Sequence, residues 1–302
     1  MKPKISIIGC GRVGTALAVY LGLAGYKIAG LASRTSESAK KTATASGQGT
    51  VFNDPCDAVM AGDIIFITTP DNLIETVCSE LADGLCQKRL DGKIFYHCSG
   101  AISSAILQKA AAQGAITGSI HPLQSFAPYK HGQPSPFKGV NISLEGDEQA
   151  VKSGHKMIEE LGAKPFSIPT KAKTLYHAAA VVASNYLVTL EHFALQLLHE
   201  VGLEEKKAYE ILEPLIHGTL SNIKNRGSSS ALTGPVARGD VGIVENHLKK
   251  IDDLSHDFSM LYSVLGLSAL ELAKKQGNLD PKVITSMKTI FNKYTSDNST
   301  KN

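Results

Sequence analysis

Short apolar runs alternate with stretches of helical spacing along the first half of the chain. Ile5 to Ile8 forms one such run, the turn GCGRVG follows, and Val13, Leu17, Leu21 and Ala24 then recur three and four residues apart until Gly25. That order predicts strand, tight turn and helix. The pattern repeats with strand 27–33 (KIAGLAS), a Ser/Thr/Lys-rich helix, strand 63–69 (DIIFITT), helix NLIETVCSELADGL, strand 92–99 (GKIFYHCS), helix ISSAILQKAAAQG and a short strand that ends at His121. Strands interleaved with helices of this length predict an α/β fold, a parallel sheet covered on both faces. After VNISLEG, helix DEQAVKSGHKMIEELG and strand 163–169 (AKPFSIP), the strand pattern stops.

From Lys171 to about Val201 the chain is apolar on most of a helix circumference. Such a helix is expected to be buried by other helices or by a second subunit, which predicts a homodimer. Further helices are expected from about Glu204 to Arg226 with Pro214 inside, from Val241, from about Leu265, and from Pro281 with Asp280 as cap. The last residues, YTSDNSTKN, are expected to fray.

Composition excludes several classes. A 302-residue chain with 43% apolar residues can bury a core, and a length prior of about 150 residues per domain favours two domains. Its 31 Lys and Arg against 28 Asp and Glu leave a formal charge of only +3, without a basic stripe, so nucleic acid is not the expected partner. No run of 18 apolar residues escapes polar interruption, and the N-terminus carries no signal-like apolar region, so the expectation is a cytoplasmic protein with no membrane contact. Five cysteines (Cys10, Cys56, Cys78, Cys86 and Cys98) lack the paired spacing of a zinc site or disulfide framework, and are read as reduced thiols. No metal is expected.

Gly9, Gly11 and Gly14 make G-x-G-x-x-G between a strand and a helix, the context in which that triplet marks dinucleotide binding. Gly9 allows the turn, Gly11 the approach of a pyrophosphate and Gly14 close packing, while Arg12 and Val13 stand at a helix N-terminus whose free N–H groups favour an anion. Where an NAD enzyme would carry a carboxylate for the ribose hydroxyl, this chain has Ser33, Arg34 and Thr35. An arginine with two hydroxyls suits a 2′-phosphate through charge-assisted bonds of roughly 1.5–3 kcal/mol each, so the expected cofactor is NADP. Ligands of such sheets lie at the carboxyl ends of the strands, which adds Thr68, Thr69 and Pro70 near the cofactor ribose. Ser99 and Gly100 either face the nicotinamide or simply start a helix.

His121 also ends a strand, and Pro122 biases it away from helix, so its imidazole is expected in the substrate crevice, with Gln124 and Ser125 as weaker candidates. There it can donate a proton or hydrogen-bond a substrate oxygen without transfer.

A Rossmann domain (1–169, NADP-binding) followed by an all-helical domain (170–302, substrate and dimerisation) resembles the 6-phosphogluconate dehydrogenase-like superfamily. HPLQSFAP, YHAAAVVASNY and LTGPVARGD are similar to a narrower group labelled NADP oxidoreductases of the deazaflavin-dependent type. The resemblance implies a hydride transfer between NADP(H) and a small carbonyl or imine, or the matching alcohol or amine. Several superfamily members carry a lysine one helical turn before an asparagine on the first long helix. Asn185 matches the asparagine, Val181 stands in the lysine's place, and His177 lies two turns before Asn185. Proton donation would then fall to His177, to His121, or to neither. Arg238 could hold a substrate carboxylate or phosphate, while Asp240 is expected to cap the helix that starts at Val241. Two alternatives stay open: an NADP-binding sensor without turnover, and hydride exchange with a deazaflavin.

Overall fold

In the computed structural model, which describes residues 1–85 and 90–295, the first half of the chain forms one eight-stranded sheet. The strands are β1 (Lys4–Ile8), β2 (Lys27–Ala32), β3 (Thr50–Val51), β4 (Ile64–Ile67), β5 (Ile94–His97), β6 (Ile116–Pro122), β7 (Asn141–Gly146) and β8 (Lys164–Ser167). Their spatial order is β3-β2-β1-β4-β5-β6-β7-β8. Every neighbouring pair is parallel except β6 and β7. The antiparallel pair departs from the all-parallel expectation, and it arises because the link from Leu123 to Val140 carries no crossover helix.

The helices that cover this sheet are α1 (Arg12–Leu23), α2 (Ser36–Ser46), α3 (Pro55–Ala61), α4 (Ile74–Gly84), α5 (Gln108–Ala112) and α6 (Glu148–Glu160). Side chains alternate between the faces of a strand, so the sheet feeds two cores. Ile5, Ile7, Phe66, Tyr96 and Ile120 pack with Leu17 and Leu21 of α1 and Met157 and Ile158 of α6. Ile8, Ile65, Ile67 and Phe95 pack on the other side with Val59 of α3 and Ile74 and Leu81 of α4. β3 and α3 were not expected, being two and seven residues long and too short to show a period.

The long helix comprises α7 (Lys173–Val181), a π-helical segment Val182–Tyr186 and α8 (Leu187–His199). Within it the chain buries only Lys173 and Phe193, and Leu175, Val182, Tyr186 and Val188 are 57–77% exposed. The helices of a single chain therefore do not cover it, contrary to one of the two expectations. By length and composition Thr170–His199 is apolar enough to cross a membrane, yet it carries Lys173, His177, Asn185 and Glu191, which hydrocarbon would penalise.

The chain divides into two compact units, Met1–Asn185 and Tyr186–Asn302. The second contains α8, α9 (Glu205–Ala231), α10 (Pro235–Arg238), α11 (Val241–Leu254), α12 (His256–Gln276) and α13 (Pro281–Thr295). Its core joins Val244 and Leu248 to Leu270, Met287, Phe291 and Tyr294. Gly266 lets α12 and α13 meet, because a Cβ there would lie 2.2 Å from the Phe291 ring. Pro214 sits inside α9, whose helical backbone breaks at Gly227 (φ 76°, ψ 163°), beside the expected end at Arg226, before a last short helical stretch. α12 begins at His256 rather than near Leu265 because Ser259, Ser263 and Gly266, small polar residues by sequence, form its buried face. Cys86, and the tail from Ser296 on, lie outside the described residues.

Candidate functional site

β1 ends at Ile8, and the chain turns at Gly9 with φ 105°, where any side chain would be strained and a Cβ would meet the Thr68 carbonyl carbon at 2.9 Å. A Cβ on Gly14 would lie 2.2 Å from the Gly9 oxygen, so the helix can approach the turn only without one. Gly11 differs: nothing lies within 4 Å of its Cβ position, so no protein contact requires a glycine there. The space in front of Gly11 borders a pocket of about 390 Å³ lined by Cys10, Gly11, Arg12, Thr15, Lys41 and Tyr129, among others. On the other side of the turn, Gly9, Ser33, Arg34, Asp54, Thr69 and Glu80 help to line a second pocket of about 550 Å³.

Several residues grouped here by sequence prove to have distinct duties. Ser33 accepts a hydrogen bond from the Cys10 amide (3.2 Å), and Thr68 bonds the Gly9 carbonyl, so both hold the turn. Thr69 Oγ1 is buried with no hydrogen-bond partner and lines the larger pocket. Thr35 caps α2 by accepting from Ser38, and Pro70 starts the 3-10 turn Asp71–Leu73. Val13 packs against the core and offers only its backbone. Arg12 and Arg34 lack any ion-pair or hydrogen-bond partner among the described residues. An N-terminus of α1 with no side-chain cap, two unpaired guanidinium groups and an orphaned hydroxyl fit a phosphorylated dinucleotide.

The second part of the site lies at the carboxyl ends of β5 and β6. In the sheet register His97 lies beside Ser119, which lies beside Glu145, and one step on His121 lies beside Ser143. Neighbours in register share a face, so a row of polar side chains crosses three strands. Lys173 of α7 sits over that row with 1% exposure, donating to Ser119 Oγ at 2.6 Å and lying 4.0 Å from Glu145 Oε1. Glu145 also accepts from the amide and hydroxyl of Ser104, each at 2.8 Å. Ser99 donates to Asp71 (2.7 Å) and accepts from the amides of Ala101 and Ile102.

His121 Nδ1 lies 3.0 Å from the Tyr176 hydroxyl, and its ring lies 6.2 Å, centroid to centroid, from His177. Gly100 closes the group: a Cβ there would lie 2.6 Å from His121 Nε2 and 2.7 Å from the His177 ring. His121 and His177 open onto a pocket of about 330 Å³ whose wall includes Gln124, Ser125, Ser184 and Asn185. The π-helical segment carries both Ser184 and Asn185, a distortion often found where helices serve a site. Burial, together with the positive charge of Lys173 and the neighbouring His177, holds the His121 imidazole down at about 4. Burial likewise presses His97 to about 3 and Lys173 to about 8. Near pH 7 His121 is therefore neutral, and it offers a hydrogen bond rather than the proton of an imidazolium.

Arg238 differs from its expectation. Its Nε and Nη2 clasp Asp240 Oδ2 at 2.9 and 2.8 Å, so its guanidinium already has a local carboxylate partner. Asp240 in turn stands at the start of α11 without a side-chain capping bond. Sequence reasoning missed Lys173, Glu145, Ser104, Tyr176 and Asp71. A lysine at the N-terminal end of a helix reads as solvated, and only the strand register reveals its partner. Cys10, Cys78 and Cys98 are free thiols, and burial pushes Cys10 up to about 11 and Cys98 to about 12, so neither is a thiolate near neutrality.

Two family models match the chain, a Rossmann-like domain over residues 1–122 and the domain of unknown function DUF2520 over residues 140–269. None of the curated proteins matches it. Among solved structures, protein TM1727 from Thermotoga maritima is 28% identical with a TM-score of 0.69, covering 90% of this chain and 99% of its own. The "putative NADP oxidoreductase BF3122" from Bacteroides fragilis is 22% identical with a TM-score of 0.69, over 89% of this chain and 98% of that one. An imine reductase from Pseudomonas sp. shares 16% identity and a TM-score of 0.59 over 97% and 93%. The last two likenesses speak to the fold alone.

Proposed function

Starting from a chain that joins a Rossmann-like domain to a DUF2520 domain, a pairing consistent with the 6-phosphogluconate dehydrogenase-like superfamily, we propose an NADP(H)-dependent oxidoreductase that acts on a small carbonyl or imine, or the matching alcohol or amine. The single observation that carries the proposal is that the glycine turn, with unpaired Arg12 and Arg34 beside it, and the His121–His177 pocket are both built at the carboxyl end of one sheet. Relatives of this fold include an Aspergillus terreus reductive aminase solved with NADPH, at 14% identity.

Gly11, Arg12 and the α1 N-terminus would take the pyrophosphate, Arg34 the 2′-phosphate, and Thr69 a sugar hydroxyl. When bound, the nicotinamide cofactor supplies or accepts the hydride. His121, neutral and braced by Tyr176, orients the substrate through Nε2, and Asn185 and His177 complete the pocket wall. The exposed apolar residues of the long helix support a homodimer, and the free buried thiols suit a reducing cytoplasm.

His121→Ala should lower NADPH-dependent turnover on a carbonyl and imine panel at least 100-fold while leaving the Kd for NADPH within about twofold. Wild-type turnover on none of the panel, with NADPH firmly bound, would instead favour a nucleotide sensor.

A further inference from the structure

Lys173 has no part in cofactor or substrate contact as described above, yet it is a charged residue buried to 1% exposure. Its ammonium donates to Ser119 Oγ at 2.6 Å, and that hydroxyl lies 3.4 Å from the carbonyl oxygen of Ser99. The next residue is Gly100, on which the rings of His121 and His177 both close. A chain of three contacts thus runs from α7, through β6, to the turn that forms the floor under His121. Glu145, held in place by two bonds from Ser104, fixes the ammonium from β7 at 4.0 Å.

We propose that Lys173 is a positioning residue of the His121 pocket, acting in two ways at once. Through Ser119 it holds the Ser99–Gly100 turn against the two histidine rings, and its buried positive charge disfavours a second positive charge on His121. The proposal rests on the reading of this pocket as the reacting site, but its electrostatic content does not need a substrate. A buried ammonium is costly unless it is paired, so its presence here asks for a role that a methionine of similar volume could not fill.

The groups facing His121 are Tyr176, His177 and Lys173 from α7, His97 from β5 and Asp71 from the turn after β4. Those facing Lys173 are Glu145 from β7, Asp71, Cys98, His97, and the Tyr176 ring at 5.9 Å. The Asp71 carboxylate opposes the histidine-neutralising effect, and burial, the lysine and His177 outweigh it at His121. Lys173, lowered by burial to about 8, should discharge above that pH.

The test is a pH titration of the His121 ring Cε1 resonance in the full chain by nuclear magnetic resonance, compared with Lys173→Met, Lys173→Arg and Ser119→Ala. In the unmutated protein a main step near pH 4 and a smaller second step near pH 8 are expected. Lys173→Met should raise the main midpoint by about one pH unit and remove the second step, and Lys173→Arg should restore the low midpoint. Ser119→Ala keeps the charge, so the midpoint should stay while the Gly100 amide resonance moves. An unmutated titration without the second step overturns the proposal even if Lys173→Met fails to fold. So does a Lys173→Met midpoint equal to that of the unmutated protein, or a Gly100 amide unmoved in Ser119→Ala. Loss of turnover with these titrations intact would count against the proposed function and not against Lys173.

Discussion

Gly11→Asp should leave the fold intact and weaken NADPH binding at least 100-fold. The position has open space where a Cβ would stand, and its φ of −82° and ψ of −161° are open to any residue. Aspartate is also a favoured residue at the N-terminal cap, where it is better than glycine by about a few tenths of a kcal/mol. α1 should therefore keep or gain stability. The carboxylate would take up the same N–H groups that a pyrophosphate needs, and two like charges about 4 Å apart at an effective dielectric of 20 repel by roughly 4 kcal/mol. Calorimetry should show the loss of NADPH binding, and thermal unfolding should show a Tm no lower than that of the unmutated chain. NADPH binding within tenfold of the unmutated value would reject the assignment of this turn.

Glu145→Ala should be the most destabilising of the substitutions considered, at roughly 3–5 kcal/mol, because it leaves Lys173 as an uncompensated buried charge. It also strips the Ser104 amide and hydroxyl of their acceptor. Urea unfolding near pH 7 measures the loss, and the double variant Glu145→Leu/Lys173→Met should regain most of it. The pH dependence has a definite sign. Burial lowers the Lys173 pKa from 10.5 to about 8, so between those values the unfolded chain binds more protons than the folded one. Stability from this group therefore rises with pH across that window, is lost as pH falls from 10.5 to about 8, and changes no further below that. The Glu145→Ala deficit should accordingly shrink between pH 7 and pH 9. A deficit under about 1 kcal/mol, or one that grows with pH, would show that the lysine is not held charged by this pair.

The parts of the protein that were legible in the sequence are those governed by local spacing. The β1–turn–α1 unit follows from Gly9, Gly11 and Gly14 standing between an apolar run and a helical repeat, and the structure places all three at that turn. His121 follows from a strand ending at a proline, and the structure sets it beside His177 and Gly100. What stayed hidden depends on register. Thr68 and Thr69 are adjacent and alike, and only the sheet decides that the first grips Gly9 while the second faces the pocket. Lys173 and Glu145 are 28 residues apart and share a site because the β6–β7 register puts Glu145 beside Ser119, the hydroxyl that Lys173 bonds, which no period along either segment announces. The Arg238–Asp240 pair stayed hidden for the opposite reason, since the two are only two residues apart and the capping duty expected of Asp240 concealed the contact.

A calorimetric titration of the unmutated chain with NADPH and, separately, with NADH tests directly whether a phosphorylated dinucleotide is held at the α1 N-terminus. One equivalent of NADPH should bind per chain, at least tenfold more tightly than NADH, a difference of about 1.4 kcal/mol or more. No heat with either nucleotide, or NADH bound as tightly as NADPH, would contradict it.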